Sequence, residues 1–184
     1  KKKKKIILTI SRLSKRKNID LILQAAKFLE RKKEFVFHIY GPDFGEKEKL
    51  KKIIHENNSK NIKIFDAINF TSISNIIKNS YIFCLPSDNE NFGNVYLESL
   101  ACGVPIIAST GTPWNEVEKA GCGRWITNSA ESNANAIKEI FLSFEDENKK
   151  LKMKESSKRF AENYSWKKVA NKFNKLFIDI IDLD

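Results

Sequence analysis

Short apolar runs alternate with amphipathic stretches along this chain, and this alternation restricts the fold more than any other feature. The runs are mostly continuous, as expected for strands covered on both faces, whereas the stretches between them carry apolar residues at helical spacing. Strict alternation implies right-handed crossovers and predicts an α/β fold: a doubly wound parallel sheet of about six strands with helices on both faces. The predicted strands are 6–10, 35–40, 62–65, 81–85, 105–108 and 124–126.

The last part of the chain is predicted to be helical. Periodic apolar residues favour helices over 134–144 and 151–163 and a closing amphipathic helix over 165–183. We expect the apolar face of that last helix to pack mainly on the same domain, with part of it left for a further domain. Residues 1–184 are interpreted as one domain, in which the basic residues 1–5 form a disordered start.

Composition indicates a folded domain and leaves the role of its positive charge open. A hydrophobic share of 41% and 13 Phe residues suffice for a core, and no apolar run approaches the roughly 20 residues that span a bilayer. The net charge of +10 favours a nucleotide, a nucleic acid or an acidic membrane surface, although scattered lysines on helix faces account for most of it. The three cysteines, Cys84, Cys102 and Cys122, have no paired spacing and are interpreted as reduced thiols of a cytoplasmic protein.

The loop after the first predicted strand is rich in cations. Ligands of doubly wound sheets bind at the carboxyl ends of the strands, and this loop, 11–18, is cationic at four of its eight positions. Arg12 offers a planar fork and Lys17 a point charge to a diphosphate, while the next helix start adds free N–H groups. A solvated turn in a lysine-rich protein would look the same, and this alternative stays open.

The loop after the fourth predicted strand combines carboxylates with a glycine. Glu90 lies in the loop and Glu98 in the following helix, eight residues on, so that both carboxylates can face the same cleft. Their oxygens can accept hydrogen bonds from sugar or ribose hydroxyls. Gly93 lets backbone approach a ligand, and Asn94 is predicted to cap the helix. Alternatively, Glu98 only complements the helix dipole and Glu90 is a surface residue.

This second loop resembles a known family. Glu90 and Glu98, with Phe92 and Gly93 between them and Ala-Cys-Gly-Val-Pro at 101–105, resemble the E-x7-E signature of retaining, group 1 glycosyltransferases. That family has the GT-B architecture of two Rossmann domains. The resemblance therefore implies that the α/β fold is Rossmann-like and forms one half of a GT-B fold.

Further segments are similar to the same family. The tripeptide Ser-Arg-Leu at 11–13, followed by Lys17, looks like its G-R-L-x-x-x-K-G loop. Segments 111–116 and 121–125 resemble a variant common in bacterial lipopolysaccharide and capsule enzymes. Glycines usual in the family are replaced in this chain at Ser11, Asn18 and Asn91.

The resemblance also implies roles for individual residues. Arg12 and Lys17 would contact the diphosphate of a nucleotide-sugar donor. Glu98 would bind the ribose hydroxyls, and Glu90, as the catalytic residue, would reach the transferred sugar. Backbone close to sugar and phosphate would come from Phe92, Gly93 and Asn94.

Other motifs are set aside. His38 lies in a predicted strand and is interpreted as a sheet residue rather than a catalyst. Asp182 and Asp184 match a D-x-D metal pattern of a different glycosyltransferase architecture, but they stand at the chain end. We therefore predict neither a metal site nor a cofactor.

The resemblance implies the donor-binding half of a retaining glycosyltransferase that transfers sugar to a polysaccharide or lipid-linked acceptor. The acceptor domain would precede residue 1, so this chain alone is expected to be inactive in transfer. The choice among UDP, GDP and ADP donors, the sugar, the acceptor and peripheral contact with the inner face of the membrane are left open. Two alternatives remain: a non-catalytic nucleotide-binding module and a basic nucleic-acid-binding protein. The second is disfavoured because the aromatic residues occur mostly at the spacing of core positions rather than on an exposed basic face.

Overall fold

The strands form a six-stranded parallel sheet in a computed structural model that describes residues 4–181. The strands are β1 (Lys5–Ile10), β2 (Phe35–Tyr40), β3 (Ile62–Phe65), β4 (Ile82–Leu85), β5 (Ile106–Ser109) and β6 (Gly123–Ile126). The helices are α1 (Ile19–Phe28), α2 (Lys47–Glu56), α3 (Phe70–Lys78), α4 (Asn94–Ala101), α5 (Ala130–Ser143), α6 (Glu147–Glu162) and α7 (Trp166–Ile181). Short 3-10 turns cover Lys15–Lys17 and Asn115–Val117.

The strand order is β3-β2-β1-β4-β5-β6, with every neighbouring pair parallel. β2 and β3 follow one another on one side of β1. β4 then lies on the other side of β1, and β5 and β6 follow it outward to the opposite edge of the sheet. The connections after β1 and β4 therefore leave the sheet in opposite directions. This topological switch point opens a crevice between the two loops at the carboxyl ends of the strands.

The predicted fold class is confirmed, and each predicted strand agrees with the structure to within one residue at either end. β4 and β5 are buried along their whole length, which explains why their sequences are continuously apolar. Helix α1 packs against α2 and α5, while α4 packs against α3 and α6, so both faces of the sheet are covered. No helix in residues 4–181 is long and apolar enough to cross a membrane.

Two expectations about the chain ends need correction. Lys5, assigned to a disordered start, is the first residue of β1, because its backbone N–H donates to the carbonyl of Glu34 at 2.9 Å and extends the ladder. Helix α7 forms where periodicity predicts it, but it buries none of its residues. Its large apolar side chains, including Phe173 and Phe177, are more than half exposed. Periodicity shows that a helix has an apolar face but carries no information about what covers it.

Candidate functional site

A cavity of about 430 Å³ opens at the switch point between β1 and β4. One wall is the loop after β1, residues 11–18, here called the cation loop; the other is the loop after β4, residues 86–93, here called the carboxylate loop. Two helices begin beside the cavity, α1 after the cation loop and α4 after the carboxylate loop. The charged and backbone groups at the cavity wall include Arg12, Arg16, Lys17, Glu90, Phe92 and Gly93.

Lys17 and Glu90 meet across this cavity. The Lys17 ammonium donates to Oε1 of Glu90, and the two side chains are only 13% and 15% exposed. Lys17 is held by the 3-10 turn, in which its backbone N–H donates to the Ser14 carbonyl at 3.0 Å. Arg12 is exposed, and its guanidinium lies over the Phe44 ring, 5.2 Å from the centroid. The cavity wall therefore holds one paired cation, Lys17, and two exposed cations, Arg12 and Arg16.

The carboxylate loop is held by hydrogen bonds to the segment that follows β5. The Glu90 N–H donates to the Gly111 carbonyl at 3.2 Å, and the indole N–H of Trp114 donates to the Phe92 carbonyl at 2.7 Å. A Cβ at Gly111 would lie 1.8 Å from the Asp88 carbonyl oxygen, so only glycine allows this close approach. The buried Trp114 thus ties the loop backbone to the core of the domain.

Gly93, rather than Asn94, is the residue at the cap position of α4. Gly93 has φ 77°, in the left-handed region, and a Cβ there would come within 2.7 Å of the Tyr96 ring. The predicted capping role of Asn94 is wrong, because Asn94 is already the first helical residue and its side chain makes no cap hydrogen bond. The turn into the helix depends on backbone conformation, which only glycine adopts readily here.

Glu98 does not line the cavity. It lies on α4, where burial raises the pKa of its carboxyl group above the ordinary value. Within residues 4–181 its side chain makes no hydrogen bond or ion pair. The structure therefore brings five of the predicted residues to the cavity and leaves two outside its wall: Asn94 and Glu98.

Arg16 lines the cavity but was not among the predicted site residues. Its position in a basic loop was visible in the sequence, but only the structure shows which of the consecutive, exposed basic side chains line the cavity. Lys15, next to it, is exposed and does not line the cavity.

Groups set aside from the sequence do not join the cavity. His38 packs edge-on against Phe65, with the ring centroids 5.1 Å apart, and its pKa is lowered mainly by burial and also by the nearby charge of Lys63. Burial raises the pKa of the Cys122 thiol to about 12, which disfavours the reactive thiolate form. No group of three or more His, Cys, Asp or Glu in residues 4–181 is placed to hold a metal ion. The D-x-D segment, with Asp182 and Asp184, lies outside the described residues.

The fold and the cavity define the class of protein: a Rossmann-like α/β domain of the kind that makes up one half of GT-B glycosyltransferases. The sequence then identifies the family. The family model for glycosyl transferases group 1 matches residues 1–163, and the chain belongs to that family.

Several relatives show how far the similarity extends. An uncharacterized glycosyltransferase of Methanocaldococcus jannaschii is 25% identical over 167 residues, which cover 90% of this chain and 46% of that protein. The structure of a glycosyltransferase from Rickettsia africae matches with a TM-score of 0.83 and 22% identity, covering 97% of this chain and 48% of the other. The pneumococcal O-GlcNAc transferase GtfA, solved in complex with UDP and GlcNAc, gives 0.76 and 23%, covering 97% and 37%. This chain thus spans about half, or less, of the length of these proteins.

Proposed function

We propose that this chain is the donor-binding half of a retaining glycosyltransferase and holds a nucleoside-diphosphate sugar between the cation loop and the carboxylate loop. The observation that carries the proposal is the convergence of three cations and one carboxylate on the switch point of the sheet, next to the starts of two helices. Cations and helix starts bind diphosphates, and switch points are where doubly wound sheets bind ligands. Membership of a glycosyltransferase family supports sugar transfer as the reaction.

In this proposal the cation loop binds the leaving group. Arg12, Arg16 and Lys17 surround the diphosphate, and their charges stabilise it as the glycosidic bond breaks. The Glu90 carboxylate accepts hydrogen bonds from the transferred sugar, while backbone at Phe92 and Gly93 lies close to sugar and phosphate. No metal ion or cofactor is part of the proposed reaction.

Glu98 and Asn94 complete the donor site in the proposal. Glu98 binds the ribose hydroxyls with a carboxylate that has no partner in the described part of the chain, and Asn94 contributes its N–H at the start of α4. The pneumococcal relative in complex with UDP makes uridine nucleotides the first to test, followed by those of guanosine and adenosine. We propose a polysaccharide or lipid-linked acceptor, as in lipopolysaccharide and capsule synthesis, and action in the cytoplasm.

Binding of nucleosides and their diphosphates tests the donor site directly. We expect UDP, GDP or ADP to raise the Tm of the chain, and Arg12→Ala or Lys17→Ala to weaken that diphosphate about tenfold or more. The same substitutions should leave the affinity for the parent nucleoside unchanged, because neither side chain faces the base. Lys15→Ala is the matched control, since Lys15 is an exposed cation of the same loop outside the cavity. Equal weakening by all three variants would contradict the assignment.

A salt titration separates this proposal from nucleic-acid binding. If the net charge of +10 serves a polynucleotide, the affinity for RNA or DNA should fall steeply as salt rises. A nucleoside diphosphate bound by two or three side chains should show a much shallower salt dependence.

Co-sedimentation with anionic and with neutral lipid vesicles tests the further proposal of peripheral contact with an anionic membrane.

A further inference from the structure

Two asparagine amides converge on the same pair of oxygens beside the cavity. Nδ2 of Asn18 donates to the Pro86 carbonyl at 3.0 Å and to Oδ1 of Asp88 at 2.5 Å. Nδ2 of Asn128 donates to the same two atoms, at 2.8 Å and 3.2 Å. Three separate segments are joined there: the end of the cation loop, the start of the carboxylate loop, and the connection between β6 and α5.

Asn18 reaches these oxygens because of its unusual backbone conformation. Its φ of 48° and ψ of 43° place it in the left-handed region, which glycine adopts most easily and which asparagine tolerates better than most other residues. Asparagine thus keeps the turn from the 3-10 segment into α1 and adds an amide that glycine lacks. A backbone bond from the Asp88 N–H to the Arg16 carbonyl, 2.9 Å long, joins the same two loops.

The joint connects the two loops close in sequence to the two paired groups of the cavity. Lys17 immediately precedes Asn18, and Glu90 follows Asp88 by two residues. A bond between Asn18 and Asp88 therefore restrains the backbone that carries Lys17 relative to the carboxylate loop. Without the Asn18 amide, the cation loop would be held there by the Arg16 carbonyl, which accepts from the Asp88 N–H and the Ser87 hydroxyl, and by the Lys17–Glu90 pair.

We propose that Asn18 is a positioning residue of the donor site, which acts on a bound diphosphate only through Lys17. Its amide, by holding Pro86 and Asp88, keeps the Lys17 ammonium at the cavity wall when the ligand competes for it. This inference rests on the proposed function, since it requires the cavity to bind a nucleoside diphosphate.

Asn18→Gly is the informative substitution, because glycine keeps the left-handed backbone and removes only the amide. The test ligand is whichever of UDP, GDP or ADP best stabilises the unmodified chain. We expect it to bind about fivefold more weakly, because the two bonds that are lost act on the ligand only indirectly, through Lys17. Affinity for the parent nucleoside should stay the same. Asn128→Ala is the matched control: it removes an amide from the same oxygens without touching the cation loop, so the diphosphate affinity should change less than twofold.

A double-mutant cycle with Lys17→Ala distinguishes positioning from a general structural role. In the Lys17→Ala chain, Asn18→Gly should cause no further loss of diphosphate affinity, because the cation that it positions is gone. A residue that merely supports the fold would cause the same loss in both chains and would weaken the nucleoside as well. Either of those results overturns the inference.

Asp88 provides the same test from the other side of the joint. Should Asn18→Gly fail to fold, Asp88→Ala removes the shared acceptor, and its loss of diphosphate affinity should also vanish in the Lys17→Ala chain. Asp88→Asn, which keeps an acceptor oxygen, should restore binding. If the unmodified chain binds no nucleoside diphosphate, the proposed function and this inference are overturned together. If it does bind, but the losses of affinity caused by Asn18→Gly and Lys17→Ala simply add in the double variant, the inference alone is overturned.

Discussion

The ion pair between Lys17 and Glu90 determines what a ligand meets on entering the cavity. Both side chains are largely buried, so each is the main partner of the other in the free protein. A diphosphate has to share Lys17 with Glu90, and its negative charge is repelled by that carboxylate. A nucleotide sugar also brings the hydroxyl groups of the transferred sugar, from which Glu90 can accept, whereas a nucleoside diphosphate has only its ribose hydroxyls, which the proposal assigns to Glu98.

This competition predicts opposite effects of Glu90→Gln on donor and product. Removing the charge frees Lys17, so the affinity for the nucleoside diphosphate should rise about fivefold, the equivalent of ~1 kcal/mol. The affinity for the nucleotide sugar should rise less or fall, because glutamine is a weaker acceptor for the sugar hydroxyls. Calorimetric titration of both ligands against both proteins measures the difference. The same change for both ligands would show that Glu90 does not contact the sugar.

The raised pKa of Glu98 predicts that replacing this residue makes the folded chain more stable, while its proposed role predicts that the replacement weakens ligand binding. An acid whose pKa is raised on folding binds more protons in the folded state than in the unfolded state between its ordinary and its raised pKa. Its contribution to stability therefore falls as pH rises through that window. Glu98→Gln should raise the Tm by about 1–2 °C at pH 7, and this gain should disappear below the ordinary pKa of a glutamate. Melting curves across pH 4 to 8 check the sign.

The ribose role of Glu98 is tested with the same variant. If its carboxylate accepts from a ribose hydroxyl, Glu98→Gln should weaken a ribonucleotide more than its 2′-deoxy analogue. The four affinities form a cycle, and a coupling energy of zero would place the hydroxyl elsewhere. A variant that is more stable and binds less well is what a residue kept for function should give.

At the scale of elements, the carboxylate loop depends on the segment after β5. Trp114→Phe keeps an aromatic ring among its neighbours but leaves the Phe92 carbonyl without its donor, at a cost of about 1–3 kcal/mol in the free energy of unfolding. We expect nucleotide-sugar affinity to fall as well, because Phe92 and Gly93 line the cavity. Trp166→Phe is the control, since Trp166 is 90% exposed and should change neither quantity. Urea unfolding and calorimetry measure the two effects.

Elements were predictable from the sequence where burial produces a periodic pattern. The strands could be placed because β4 and β5 are buried throughout and leave continuous apolar runs. The starts of helices were harder to predict. α5 begins four residues before its predicted start and is capped by the Ser129 hydroxyl; α6 also begins four residues before its predicted start and is capped by the Asp146 carboxylate. Both first turns consist mostly of polar residues, so the apolar period gives little sign of them.

The candidate site was predictable in its loops and less so in its contacts. Strand order places the loops of Lys17 and Glu90 on either side of one crevice, and residue type suggests their chemistry. The position of Arg16 at the cavity wall and the left-handed Asn18 follow from a 3-10 turn that has no sequence period. The bond from Trp114 to Phe92 joins residues 22 positions apart, and nothing local encodes it.

At the scale of the whole molecule, α7 stands apart from the rest of the described chain. Since it buries none of its residues, deleting residues 166–184 should leave the Tm within about 2 °C and the affinity for a nucleoside diphosphate within about twofold. Solubility should improve, because the deletion removes an exposed apolar face. Melting curves and titrations of the two chains compare these quantities directly. A large fall in Tm would show that α7 packs on the domain in solution.

The last prediction concerns what the 184 residues do by themselves. The described residues form a single Rossmann-like sheet with one cavity at its switch point. A GT-B enzyme, in contrast, has two such domains that face each other across a cleft. Transfer requires an acceptor held in line with the donor sugar and a site closed to water, and one wall provides neither. We therefore expect this chain to bind a nucleotide sugar without transferring it.

The measurement pairs binding with turnover on the same preparation. Labelled UDP-, GDP- and ADP-sugars are incubated with the chain and with candidate lipid-linked and oligosaccharide acceptors, and glycosylated product and free sugar are separated by chromatography. Slow release of free sugar fits the expectation, since Arg12 and Lys17 can stabilise the leaving diphosphate while water takes the place of the acceptor. The Lys17→Ala chain is the control and should lose that hydrolysis. Efficient transfer by the unmodified chain would mean that the acceptor binds on this domain, at a surface other than the cavity between the two loops.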